Sequence, residues 1–145
     1  MFRIDKDDNS IKPLKARSFS ELGFKERQHL QEWIAKYPSC LGEDLLIIQK
    51  EFAGFSDTQE RLDLLAVDKK GRLVIVENKL DDTGKDVTWQ AMKYASYCAS
   101  LKAENICGIY QDHLTKTGQP GTASELIADF LEVADFSEVT LNRGV

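Results

Sequence analysis

Four apolar residues run straight into charge at Leu73-Val74-Ile75-Val76-Glu77-Asn78-Lys79. A stretch apolar at every position is a strand covered on both faces, so the chain must build layers around a sheet. Side chains alternate along a strand, which puts Glu77 and Lys79 on the same side at its end. Ionisable groups directly behind a buried strand are costly unless they meet water, a partner or a metal. A second strand, Arg61–Val67, precedes it and carries Asp63 between Leu62 and Leu64. Asp68-Lys69-Lys70-Gly71 between the two strands is rich in turn residues, so a tight hairpin is expected to bring Asp63 near Glu77. Two carboxylates side by side repel, and hard oxygen ligands suit Mg²⁺ or Mn²⁺. The Lys79 ammonium would then stand where it can orient water or stabilise charge on a phosphate.

The elements around this pair follow from periodicity. Leu30, Trp33, Ile34 and Tyr37 recur at helical spacing and Pro38 stops them, which predicts a helix over 24–37. Glu26 sits on the edge of that apolar face, an odd place for a carboxylate unless it meets a polar pocket. Leu45–Ile48 predicts the first strand, continuing towards Phe52, with a loop over 53–60. Val87, Ala91, Tyr94, Cys98 and Leu101 make one stripe of a helix over 86–101. Two further helices are expected over 104–116 and 123–134, and a short strand over Glu138–Leu141. Phe2–Asp5 and Ile11–Leu14 flank a turn cluster and predict an N-terminal hairpin within 1–17. The whole is one domain of α/β class, a short mixed sheet flanked by helices, with a motif-bearing core over 24–101 and an acidic helical extension over 103–145.

Charge narrows the partners. The 145 residues carry 19 basic and 24 acidic side chains, a net −5. Residues 103–145 hold seven acids against Lys116 and Arg143, so the first two thirds balance. Global acidity argues against non-specific coating of nucleic acid and leaves room for a local phosphate site. No apolar run approaches the roughly 20 residues of a membrane span. Cys40, Cys98 and Cys107 form no C-x-x-C, which argues against zinc and redox motifs. The expected setting is a reducing cytoplasm. Gly84-Lys85-Asp86 lacks the remainder of a phosphate-binding loop, and no G-x-S-x-G elbow occurs.

Asp63, thirteen intervening residues and Glu77-Asn78-Lys79 resemble the core motif of the PD-(D/E)XK nuclease superfamily. Lys25-Glu26-Arg27 resembles the start of archaeal Holliday-junction resolvases. RLDLLAVD at 61–68 and LVIVENKL at 73–80 resemble strands of the NucS-like and RecB-like branches, and Gln90-Ala91-Met92-Lys93-Tyr94 resembles the RecB-like Q-x-x-x-Y. Leu62 stands where the motif commonly has Pro. The resemblance implies a restriction-endonuclease-like core of order α-β-β-β-α with extra helices after it. It also implies a metal-dependent deoxyribonuclease, read as an endonuclease, that leaves a 5′-phosphate. Asp63, Glu77 and Lys79 would be catalytic, with Gln90 holding the attacking water or a phosphate oxygen. Asp63, Glu77 and Glu26 would hold Mg²⁺ or Mn²⁺. Lys85, Lys93 and Tyr94 would meet DNA. The same spacing also suits a core stripe with Tyr94 inside it and Gln90 at its polar edge, and either lysine alone suits a solvated surface. DNA is the expected partner and a membrane is not. A homodimer or an additional C-terminal domain would supply affinity and the further core strand, making these residues the front of a longer protein. The competing expectation is an inactive nuclease-fold module that binds nucleic acid or protein.

Overall fold

A computed structural model describes residues 1–53, 61–80 and 87–142. The chain opens with a hairpin in which β1 (Phe2–Asp5) pairs antiparallel with β2 (Ser10–Pro13), Ile4 facing Ile11. Lys12 ties its turn together through Asp5 and Asp8 at 3.5 and 3.0 Å.

The expected helix over 24–37 is divided. Its first turn, Glu26–Leu30, is π-helical, and the α-helix α1 covers Gln31–Lys36. The Lys25 carbonyl accepts from both His29 and Leu30 N–H, at 3.2 and 3.3 Å, which is the widened turn seen from its hydrogen bonds. The Lys25 N–H in turn donates to His29 Nδ1 at 2.9 Å. Apolar spacing reads the stripe of a helix and not the width of one turn. Pro38 then starts a 3₁₀ turn, Pro38–Leu41.

The sheet is a three-stranded meander of β3 (Leu45–Phe52), β4 (Leu62–Asp68) and β5 (Leu73–Val76), in that spatial order. Both pairings are antiparallel, so the expectation of a mixed sheet is corrected: the nine residues between β3 and β4 and the four between β4 and β5 are fewer than the dozen or so a parallel crossover needs. Central β4 is buried along its whole length. Lys50 pairs with Leu64, Phe52 with Leu62 and Leu64 with Val76; a bulge interrupts β3 between Ile47 and Gln49.

The β4–β5 turn is locked by Asp68. One carboxylate oxygen accepts from Lys70 and Arg72 N–H at 2.9 Å, and the other meets the Arg72 guanidinium at 2.6 Å. Burial alone would raise the Asp68 pKa; the two amides and the guanidinium together outweigh it and hold the acid below its ordinary range. The third strand was expected to reach Leu80 and stops at Val76. Beyond it the Asn78 and Leu80 N–H groups go to side-chain carboxylates and not to a neighbouring strand.

Three helices cover the sheet: α2 (Val87–Cys98), α3 (Ala103–Thr117) and α4 (Ala123–Leu131). Ile48, Leu62, Leu65 and Val67 from the strands pack with Tyr94 and Cys98 of α2, Ile106 and Leu114 of α3 and Ile127 of α4 in one core. Gly118, at φ 66°, ends α3 in the left-handed conformation that glycine adopts freely.

Residues 138–141 do not form the expected strand. A 3₁₀ turn at Phe136–Glu138 leads into an extended, unladdered stretch, and Leu141 drops into the core. Asn142 fastens this stretch. Its N–H donates to the Gly71 carbonyl at 2.8 Å, and its side-chain amide donates to the Cys98 and Leu101 carbonyls at 2.7 and 3.0 Å. Cys98 is the last residue of α2 and its carbonyl also accepts from Leu101 N–H at 3.1 Å, while Leu101 lies three residues past the helix. Gly71 permits the approach: a Cβ there would lie 2.3 Å from the Thr140 oxygen, and its φ is 75°. Among the described residues no strand follows α2, and no helix is long and apolar enough to cross a membrane.

All three cysteines are free thiols. Cys40 is exposed, Cys107 is half-buried, and burial pushes the Cys98 thiol up to about 11.

Candidate active site

Asp63 is an acid on the central, fully buried strand, 7% exposed. The Asn78 N–H donates to its Oδ2 at 2.8 Å. Glu51 lies between Lys50 and Phe52, whose partners are Leu64 and Leu62, so it stands opposite Asp63. Continued one residue past Leu64–Val76, the β4–β5 register sets Glu77 opposite Asp63 on the other side. The three acids thus stand in a row, Glu51 and Asp63 directly opposed on paired strands and Glu77 just past the end of β5.

The Glu77 side chain is 8% exposed, and Lys79 Nζ lies 3.2 Å from its Oε1. Its Oε2 is buried and has no hydrogen-bond partner among the described residues; Asn78 Nδ2 shares that condition. Burial raises the Asp63 pKa, the Asn78 amide and Lys79 oppose this, and the Glu51 charge adds to it. Burial also raises Glu77, the Asp63 charge raises it further, and Lys79 pulls it down. Two neighbouring acids whose burial opposes ionisation thus share one ammonium.

Glu26 reaches the same end of the sheet from the π-helical turn, its Oε1 accepting from Leu80 N–H at 3.0 Å. Asp63 and Glu26 therefore hold alternate amides of the segment that carries Glu77 and Lys79. Among the described residues no three His, Cys, Asp or Glu side chains converge as an enclosed metal site.

Tyr94 is 1% exposed, and its hydroxyl donates to the Arg61 carbonyl at 3.3 Å. It is a core residue that supports the start of β4, so the expectation that it touches DNA is corrected by its burial. Gln90 lies half-buried one turn earlier on α2, and Lys93 is exposed on the same helix. Lys85 and most of the 53–60 loop lie outside the described residues.

Glu51 escaped the sequence reading, because its strand register to Asp63 appears only on pairing. It is a non-glycine residue at φ 53°. Its Oε1 accepts from Gln31 Nε2 at 3.1 Å and lies 3.4 Å from Arg27 Nε; its Oε2 lies 3.8 Å from Arg61 Nη1. The sequence signal that could have marked it is the Lys50-Glu51 pair of opposite charges just before a core phenylalanine.

Comparison with models of known protein families, with curated proteins and with solved structures finds no match.

Proposed function

We propose that the chain is a metal-dependent phosphodiesterase acting on DNA, with Asp63 and Glu77 holding Mg²⁺ or Mn²⁺. The observation that carries this reading is Glu77 Oε2, a buried carboxylate oxygen without a donor among the described residues, beside a second buried acid. A structural acid in that position is expected to be fully hydrogen-bonded. Its donor set, hard and anionic, fits a hard divalent cation, and Mg²⁺ is commonly held by one or two carboxylates with water and phosphate completing its shell. When bound, such a cation supplies a Lewis acid for the phosphate oxygens and makes water a better nucleophile at neutral pH.

The chain's own groups supply the rest. Lys79, held against Glu77, offers its ammonium to the negative charge that grows on the phosphate. Gln90 is the polar group of α2 assigned to hold the attacking water. Asn78 N–H fixes Asp63, and Glu26 fixes Leu80, so the carboxylate and the lysine are presented on a segment held at two points. The DNA substrate and the 5′-phosphate product rest on the sequence resemblance to PD-(D/E)XK nucleases. In that reading, α1, the β3–β5 meander and α2 are the front five elements of a restriction-endonuclease-like core.

The test is cleavage of labelled single-stranded, duplex, flapped and branched DNAs with Mg²⁺ or Mn²⁺, beside calorimetric titration with Mg²⁺. Cleavage that needs the cation and is lost in Asp63→Ala supports the reading. Mg²⁺ binding without cleavage of any of these DNAs favours an inactive module on the same fold. Neither binding nor cleavage sinks the metal site.

A further inference from the structure

We propose that Arg27 and Arg61, gathered on the carboxylate of Glu51, form a seat for a DNA backbone phosphate beside the one cut at Asp63 and Glu77; this rests on the nuclease reading above. Three groups from three elements meet there: Arg27 from the π-helical turn, Gln31 from α1 and Arg61 at the entry to β4. One carboxylate serves both guanidiniums, so one positive charge is left over. The arginines are 63% and 55% exposed, and they lie against Glu51 at 3.4 and 3.8 Å. A guanidinium has five N–H donors in a fixed fork that suits the geometry of a phosphate, and exposed forks of this kind can reach one.

Glu51 carries the backbone strain of a non-glycine residue at positive φ, and each exposed ion pair repays little of it. Glu51 holds that conformation at φ 53°, next to the acid row. Position also favours a role in substrate binding. Arg61 is two residues before Asp63 on one strand, and its carbonyl is anchored by the Tyr94 hydroxyl. Glu51 stands opposite Asp63 in the β3–β4 register, so the seat adjoins the buried acid. A groove of about 430 Å³ opens from Glu51 and Arg61 past Gln49 and Phe52 to Asp112 and Lys116 of α3, giving a strand somewhere to lie.

The measurement is fluorescence anisotropy of a labelled forked duplex with single-stranded arms, titrated between about 50 and 200 mM salt. Ca²⁺ replaces Mg²⁺ to hold cleavage back. Each phosphate contact contributes about 0.7–0.9 to the slope of log K against log salt, so losing this one phosphate in Arg27→Gln/Arg61→Gln should lower that slope by about 0.7–0.9. Melting followed by circular dichroism, within a few degrees of the unaltered chain, shows that the double variant folds. An unaltered slope in the folded double variant overturns the seat and leaves the nuclease reading standing. If the unaltered chain fails to bind the forked duplex at the lowest salt, the DNA reading falls and the seat with it.

Discussion

Burial works against the charge on Asp63. Its folded pKa lies above its unfolded value, so below the unfolded value, near pH 4, no charge is carried and nothing is lost on folding. As pH rises through the folded value, the charge must be held in the buried site and stability falls. Asp63→Asn keeps an acceptor for Asn78 N–H and drops the charge. It should gain about 0.5–2 kcal/mol at pH 7, or roughly 2–6 °C in Tm, with the gain vanishing below about pH 4. Thermal melts across pH check this. Mg²⁺ reverses the order: at a hundredfold excess over Kd it adds about 2.7 kcal/mol to a chain that binds it, and nothing to Asp63→Asn. Lys79 should behave differently, since an ammonium is no ligand. Lys79→Ala should cut cleavage by roughly 10²–10³ while the calorimetric Mg²⁺ titration stays near that of the unaltered chain; cleavage at the unaltered rate would make Lys79 an ordinary strand end. Asp63, Glu77 and Lys79 were legible because an acid between leucines and a charged end to an apolar run violate the expected pattern. Glu51 was not, because a charge on a half-buried edge strand violates nothing until its neighbour is known. Tyr94 was ambiguous, since one helical stripe serves core and surface equally in a linear reading.

At the scale of elements, periodicity located α2, α3, α4 and the three strands of the meander, because each buries a regular face. The ends were set by groups that periodicity does not weigh. β5 stops where the amides of Asn78 and Leu80 find carboxylates, and the 138–141 stretch stays out of the sheet because Asn142 fastens it across the Gly71 turn. The first helix widens into a π turn, a feature found often at functional sites, and it is the turn that delivers Glu26 and Arg27. Asn142 adopts φ 52°, a conformation asparagine tolerates better than most. Asn142→Ala removes the side-chain donor to the Cys98 and Leu101 carbonyls and should cost about 1–3 kcal/mol. That predicts a Tm lower by about 3–10 °C in a melt of this size of domain. Asn142→Gly loses the same donors without the backbone penalty, so it should fall by less.

Over the whole molecule, charge and site are segregated: Arg27, Arg61 and Lys79 lie in the balanced two thirds, while the acidic excess falls on residues 103–145, which build α3, α4 and the segment after them. The layered α/β plan was legible from the doubly apolar third strand. The all-antiparallel pairing followed from short connections, and the helices after α2 cover the sheet where the resemblance led us to expect another strand. The C-terminal fastening has a consequence for chemical labelling. Cys98 sits under it, its carbonyl bonded to Asn142 and its thiol held up to about 11, so at pH 8 it is almost entirely unreactive while the segment stays in place. A thiol reagent should therefore modify exposed Cys40 in the first phase and half-buried Cys107 more slowly. Cys98 should wait for each opening of the end of α2, and its modification rate, read by mass spectrometry, then becomes a clock for that opening. Asn142→Ala should speed the clock for Cys98 and leave the rate at Cys40 unchanged.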